Sequence, residues 1–117
     1  MLEQNGGIAM ARKVFERAVR KINPERYEQR LSVWLAFLNL EHSYGNERDT
    51  FNSILRKALD ANDKLRVYTQ LITMYRQSKD HRELEMLFAS LVKKYKSHYP
   101  FWEQYLQWAY YLKNLIN

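Results

Sequence analysis

The chain of 117 residues contains no cysteine, and only three glycines and two prolines. Without thiols it can form neither disulfide bonds nor thiolate metal sites, and it has no cysteine nucleophile. It also lacks an Asn-x-Ser/Thr sequon and any apolar run near the roughly 20 residues that a membrane helix requires. Residues 1–20 carry scattered charges and no signal-peptide core. We therefore expect an intracellular protein that lies outside the membrane.

The residues needed for most catalytic centres are also missing or scattered. The three histidines, His42, His81 and His98, lie far apart, and none has a second ligand at metal-binding spacing. Glu83 and Glu85 are two positions apart, so on a helix they point in different directions. No glycine-rich phosphate loop is present. We expect no catalytic residues, no metal, no cofactor and no small-molecule substrate, and hence no enzyme.

The charge is mildly basic. Nineteen Lys and Arg against 13 Asp and Glu give a formal net charge of +6 and a pI near 9.6. An excess of this size favours acidic partners such as nucleic acid, but a solvated basic surface is its more common cause. Both interpretations stay open at this level.

Large apolar residues recur every 34 positions. One set of residues with this spacing is Trp34, Tyr68 and Trp102. A second set lies three positions later in each repeat: Phe37, Leu71 and Tyr105. A fixed period of this length predicts a stack of helical hairpins, because each hairpin buries its apolar face against the next. Such stacks make extended binding surfaces and seldom make catalytic pockets.

Helix-forming patterns separated by breaks at Pro24, Gly45, Asn62, Lys79 and Pro100 predict six helices and no strand. The expected fold is all-α, a right-handed α-solenoid of antiparallel helix pairs. Residues 1–7, with Gly6-Gly7, are expected to be a flexible lead-in, and residues 8–117 a repeat domain. In that domain the order is one B helix, two complete A–B repeats and a final A helix.

The motifs resemble the HAT (half-a-tetratricopeptide) repeat. Its B helix reads Ala-Arg-x-aliphatic-aromatic-Glu-Arg-Ala, which this chain matches at Ala11, Arg12, Val14, Phe15, Glu16, Arg17 and Ala18. Its A helix carries Trp, an aromatic residue three later and an acidic residue seven later, here Trp34, Phe37 and Glu41, with Trp102 and Tyr105 matching again. In the later A helices Tyr75 and Ala109 stand where the pattern has an acidic residue. The later B helices lack the Glu-Arg pair of the pattern. A tetratricopeptide repeat fits less well. That repeat has a small residue four positions after the Trp position, whereas this chain has large residues there: Leu38, Ile72 and Leu106.

The resemblance implies structural roles for the motif residues. Each aromatic at the Trp position, Tyr68 included, is expected to fill the space between hairpins, and Glu41 to meet a basic group of a neighbouring B helix. Residues 11–45 resemble more narrowly the carboxyl-terminal HAT region of large eukaryotic nucleolar proteins that process ribosomal RNA. That resemblance implies a nucleolar, hence nuclear, scaffold that binds pre-ribosomal assembly proteins, with pre-rRNA as a further candidate partner. A HAT scaffold of splicing or of mRNA 3′-end cleavage is the alternative.

Three surfaces are candidates for contact with RNA or with an acidic or apolar partner. One basic group lies on the first helix: Lys13, Arg17, Arg20 and Lys21. A second lies at the end of the fifth helix, where cations are also favoured by the helix dipole: Lys93, Lys94 and Lys96. The last helix is rich in aromatics, which predicts either a continuing array or an interface such as a homodimer.

Overall fold

The computed structural model describes residues 2–116, and every regular element in that range is an α-helix. The six helices are α1 Leu2–Lys21, α2 Tyr27–Tyr44, α3 Arg48–Ala61, α4 Lys64–Gln77, α5 His81–Lys94 and α6 Tyr99–Ile116. The prediction of an all-α chain of about six helices is confirmed, while the right-handed winding stays a prediction. No helix within residues 2–116 is long and apolar enough to cross a bilayer. The chain groups into two compact units, one up to Leu71 and one from Ile72.

The first helix begins earlier than the sequence suggested. It starts at Leu2, so the backbone of residues 2–7 is helical, where a lead-in broken at Gly6-Gly7 was expected. Glycine lowers helix stability by roughly 1 kcal/mol relative to alanine but still donates and accepts the helical hydrogen bonds. The glycine pair is therefore tolerated as part of the helix. The division into residues 1–7 and 8–117 stays a prediction.

Contacts in the first unit show that α1 and α2 are antiparallel. Arg12 contacts Glu41, and three residues further along α1 the ring of Phe15 stacks on Phe37, which lies four residues back along α2. The ring centroids of Phe15 and Phe37 are 5.3 Å apart. Since one partner advances as the other retreats, the two helices form the antiparallel pair that the sequence predicts.

The pair formed by α2 and α3 is also antiparallel. His42 near the end of α2 lies 6.0 Å from the Phe51 ring at the start of α3, whereas Arg30 near the start of α2 donates to Asn62 after the end of α3. Three residues on one face of α3 are buried: Phe51, Ile54 and Ala58. Full burial of side chains such as Phe51 and Ile54 stabilises the fold by about 1.5–3 kcal/mol each.

An ion pair relates the starts of α2 and α4. Glu28 accepts from both terminal nitrogens of Arg66, at 2.5 Å (Nη1–Oε1) and 2.9 Å (Nη2–Oε2). Both residues lie in the first turn of their helices. These two helices therefore begin at the same end of the unit, as expected for the A helices of successive repeats.

The second unit is centred on Phe88 of α5, which has no exposed surface. Its ring stacks on Tyr105 at 5.0 Å and lies 5.6 Å from Trp108, both on α6. His81 at the start of α5 lies beside Trp108, whereas Tyr95 at its end lies beside Phe101. This reversed order makes α5 and α6 antiparallel.

The aromatic residues that recur every 34 positions differ in how deeply they are buried. Trp34 is buried, Tyr68 is half-buried and Trp102 is 41% exposed. The expectation that each Trp fills a space between hairpins is therefore wrong for Trp102. The stripe of α6 that packs on α5 contains Phe101 and Trp108, and Trp102 is rotated about 100° from Phe101.

The two prolines act differently at their helix starts. Pro24 lies in the turn between α1 and α2, where the Asn23 side chain accepts from the Glu25 backbone N–H at 2.9 Å. Pro100, expected within a break that ends before Phe101, is instead the second residue of α6. Proline is accepted there because the first turn of a helix has no partner for its backbone N–H groups.

Candidate functional site

A groove of about 560 Å³ in the first unit lies between α1 and α3, above α2. Apolar side chains line it from all three helices: Val19, Trp34, Phe37 and Ile54. Arg20 and Lys57 lie on its walls toward the carboxyl ends of α1 and α3, and Asp49 lies at the amino end of α3. The groove can therefore accept an apolar group flanked by charge. The sequence offered no signal for it, since the residues that recur every 34 positions lie on the A helices whereas the groove walls come from two B helices.

Arg12 and Glu41 form a bidentate ion pair in this groove. Arg12 Nε donates to Glu41 Oε2 at 2.5 Å and Nη2 donates to Oε1 at 2.9 Å. The Glu41 side chain is 1% exposed, whereas that of Arg12 is 35% exposed. The hydrogen bonds from Arg12 to this carboxylate raise the pKa of Arg12 above its ordinary value. The expectation that Glu41 meets a basic group of a neighbouring B helix is confirmed.

Gly45 lies against the same carboxylate. A Cβ added at Gly45 would lie 2.5 Å from Glu41 Oε1 and 2.7 Å from the Glu41 backbone oxygen. The backbone of Gly45 is extended, with φ −80° and ψ 150°, so the glycine is required by space and not by conformation. Gly45 also donates its N–H to the Glu41 oxygen, which ends α2.

The basic group of α1 lies on one side of the helix. Lys13, Arg17, Arg20 and Lys21 are all exposed, whereas Phe15 and Ala18 are partly buried. Lys13, Arg17 and Arg20 follow the spacing of a single helix face. The apolar side chains of Met10 and Val14, which are 64% and 51% exposed, border this face. Such a stripe can follow a phosphate backbone or an acidic surface. Its role in binding stays a prediction.

The basic group of α5 belongs to the second unit. Lys93, Lys94 and Lys96 are exposed. The ammonium group of Lys94 lies 5.6 Å from the centre of the half-buried Tyr95 ring. Lys93 and Lys94 occupy the last turn of α5, where cations also stabilise the helix end. Their position fits both a structural role and a binding role.

The aromatic residues of α6 fall on two opposite faces. Phe101 and Trp108 are buried and Tyr105 is half-buried, on the face toward α5. The opposite face carries an exposed apolar stripe: Tyr99, Trp102, Leu106 and Tyr110, with exposures of 69%, 41%, 65% and 69%. The predicted aromatic patch of the last helix is therefore only partly a surface, and this stripe is the part that a partner can reach.

Among the residues that the structure describes, no group of three or more histidine or acidic side chains is placed to hold a metal ion. The described residues instead form surfaces: a groove and a basic group in the first unit, and a second basic group and an apolar stripe in the second unit.

The comparisons with known proteins agree on one group. No protein-family model matches the chain. The chain is 31% identical over 98 residues to the mouse (Mus musculus) protein RRP5 homolog and 30% identical over 101 residues to the Arabidopsis thaliana rRNA biogenesis protein RRP5. These matches cover 84% and 86% of this chain. A Schizosaccharomyces pombe rRNA biogenesis protein rrp5 is 41% identical over 61 residues, or 52% of the chain.

The chain spans only 5% of the length of the mouse and plant proteins that it matches. The similarity therefore concerns one segment of much longer proteins. Relatives in an animal, a plant and a fungus nevertheless bear the same name. The predicted resemblance to large proteins of ribosomal RNA processing is confirmed, since relatives in several species are named RRP5, whereas the HAT repeat itself stays a prediction. The chain is thus homologous to a segment of the RRP5 proteins.

Proposed function

We propose that the chain is a non-catalytic scaffold segment that acts in ribosome biogenesis and pre-rRNA processing in the nucleolus. The observation that carries this proposal is the similarity to RRP5 proteins over 84% of the chain. The geometry supports a scaffold, because the described residues form helical hairpins with open grooves and stripes. Its partners are pre-ribosomal assembly proteins.

The α6 stripe is the surface that we assign to protein docking. Its members are large and apolar, and Leu106 at its centre is 65% exposed. Covering such side chains removes apolar area from water and contributes roughly 25 cal/mol per Å² to association. A second copy of the chain is an alternative occupant of the same stripe.

The proposal is tested by expressing a tagged chain in cells of its source and isolating it with its bound material. We expect pre-ribosomal assembly proteins, identified by mass spectrometry, to be recovered with it. Leu106→Asp should abolish their recovery. The matched control is Leu115→Asp, the same change on the same helix at a residue that is 61% exposed and lies away from the stripe.

Recovery of splicing or mRNA-cleavage factors in place of pre-ribosomal proteins would refute the proposal in favour of the mRNA-processing alternative. Sedimentation of the purified chain shows whether the stripe binds an assembly protein or a second copy of the chain. A dimer that Leu106→Asp dissociates would assign the stripe to a second copy.

Direct contact with pre-rRNA is a second candidate function, favoured by the exposed stripe of Lys13, Arg17 and Arg20 on α1. With Lys21 as a fourth phosphate contact, the logarithm of the binding constant should fall with the logarithm of salt concentration with a slope of roughly −2.8. Binding that does not change with salt would contradict this candidate.

A further inference from the structure

A second cleft, of about 240 Å³, lies in the second unit where the turn between α4 and α5 meets α6. Five residues line it: Arg76, Lys79, His81, Trp108 and Tyr111. None of them belongs to the basic groups that the sequence suggested. Two are permanent cations, and the other three can donate a hydrogen bond from a ring nitrogen or a hydroxyl group.

Two buried nitrogens on residues that line this cleft have no hydrogen-bond partner among the described residues: Trp108 Nε1 and His81 Nδ1. Trp108 is only 3% exposed. Its indole nitrogen can only donate, and a buried N–H without an acceptor is rare in folded proteins. An acceptor brought by a ligand would satisfy it.

Lys79 occupies a backbone position that normally favours glycine. Its φ is 58°, in the left-handed region. The N–H of Asp80 donates to the Tyr75 oxygen and that of Lys79 donates to the Arg76 oxygen, which together form a Schellman motif at the end of α4. Lysine is less stable than glycine at this position, so here the chain carries a cation at the expense of backbone stability.

Asp80, the acidic residue that follows Lys79 in the turn, uses its carboxylate to cap α5. The Asp80 carboxylate accepts from the backbone N–H of Glu83 at 3.4 Å and thereby caps α5. Arg76 and Lys79 therefore supply positive charge to the cleft, next to the unpaired donor of Trp108. We propose that this cleft binds the phosphate group of single-stranded RNA.

One observation favours RNA over a phosphorylated peptide, since a cleft of about 240 Å³ would admit a single phosphate of either ligand. Tyr111 at its edge is 45% exposed and offers a ring on which the adjacent base can stack. Phosphate contacts combined with stacking on an aromatic ring are typical of single-strand recognition.

The proposal adds a site separate from the α1 stripe, and it rests on the proposed RNA contact only for the identity of the ligand. Its test uses the purified chain and synthetic RNA, so it does not depend on recovering pre-ribosomal proteins. A chain that binds RNA through the cleft but recovers no such proteins would refute the scaffold and leave the cleft intact.

The indole N–H signals of the three tryptophans provide the first test. In the ¹⁵N-labelled chain, a short oligouridylate should shift the Trp108 signal in a saturable way and leave that of Trp34 in place. Trp108→Phe identifies the signal. A shift caused by a phosphoserine peptide but not by the oligouridylate would overturn the RNA proposal in favour of a phosphopeptide. No shift with either would overturn the site.

Charge-removing variants provide the second test, by fluorescence anisotropy with the same RNA. Arg76→Gln with Lys79→Gln should weaken binding about tenfold at low salt and reduce the salt slope by about 1.4, as expected for two lost phosphate contacts. The matched control removes two exposed cations elsewhere, Arg26→Gln with Arg56→Gln. An equal loss in the control would show that only net charge matters and would overturn the proposal.

Lys79→Gly separates binding from folding. Because glycine suits the left-handed backbone position, this variant should have a higher Tm than the natural chain and yet bind the RNA several-fold more weakly. Unchanged affinity would exclude Lys79 from the site and contradict the proposed cleft.

Discussion

The ion pair between Arg12 and Glu41 yields the sharpest prediction for stability. Arg12→Met keeps the length and the apolar stem of the side chain but removes the guanidinium group. The Glu41 carboxylate, 1% exposed, then loses both of its hydrogen bonds from Arg12. We expect the free energy of unfolding to fall, because a buried charge is left without its partner.

The magnitude follows from the burial of the two side chains. Removing one partner of a fully buried pair costs roughly 3–5 kcal/mol. Arg12 is 35% exposed, so water already screens the pair in part and can reach the carboxylate once the arginine is gone. We therefore expect a loss of about 2–3 kcal/mol.

The matched control is Arg66→Met, which breaks the pair with Glu28. Both pairs are bidentate with distances of 2.5 and 2.9 Å, although Arg12 donates through Nε and Nη2 and Arg66 through its two terminal nitrogens. The side chains of Arg66 and Glu28 are 48% and 76% exposed, however. The carboxylate of Glu28 remains hydrated without its partner, and the loss should be too small to measure.

The assay is urea unfolding at neutral pH, followed by circular dichroism. Equal losses for Arg12→Met and Arg66→Met would refute the reasoning, since burial would then have no effect. A third variant, Arg12→Met with Glu41→Met, removes both charges. Its free energy of unfolding should lie within about 1 kcal/mol of the natural chain, because no unpaired charge stays buried.

Three further predictions concern packing and titration. Gly45→Ala should lower the free energy of unfolding by about 1–3 kcal/mol, because its Cβ would lie 2.7 Å from the Glu41 backbone oxygen, which cannot move freely. Urea unfolding measures this loss. An unchanged midpoint of the unfolding curve would contradict the prediction. Trp108→Ala should cost about 3–5 kcal/mol, and Trp102→Ala far less because its side chain is 41% exposed; equal thermal shifts would contradict the assigned burial. The hydrogen bond that Tyr105 donates to Glu85 at 2.8 Å raises the pKa of Tyr105 above its usual value of 10.0. Since the folded pKa is the higher one, the contribution of this bond is complete below pH 10 and is lost as pH rises through the folded pKa. The natural chain should therefore lose stability more steeply than Tyr105→Phe in this alkaline range, and parallel pH profiles of the two proteins would refute the prediction.

Much of the fold could be predicted from the sequence because helix periodicity is local. The breaks predicted at Pro24 and Gly45 marked helix ends that the structure confirms. Helix starts could be predicted less well than helix ends. Pro100 and the Gly6-Gly7 pair both lie inside helices, because the first turn accepts proline and a helix tolerates glycine.

The sequence by itself determined the helices and the similarity to RRP5 proteins. It also predicted that Glu41 pairs with a basic residue of a neighbouring helix. Each of these follows from residue types at fixed spacing. Only the tertiary structure decided that Trp102 is exposed and Trp108 buried, because that depends on which side of α6 faces α5. The cleft likewise joins Arg76 to Trp108, 32 positions apart, through the packing of the turn between α4 and α5 on α6. Such contacts depend on the angle and rotation of packed helices, which a repeat period does not specify.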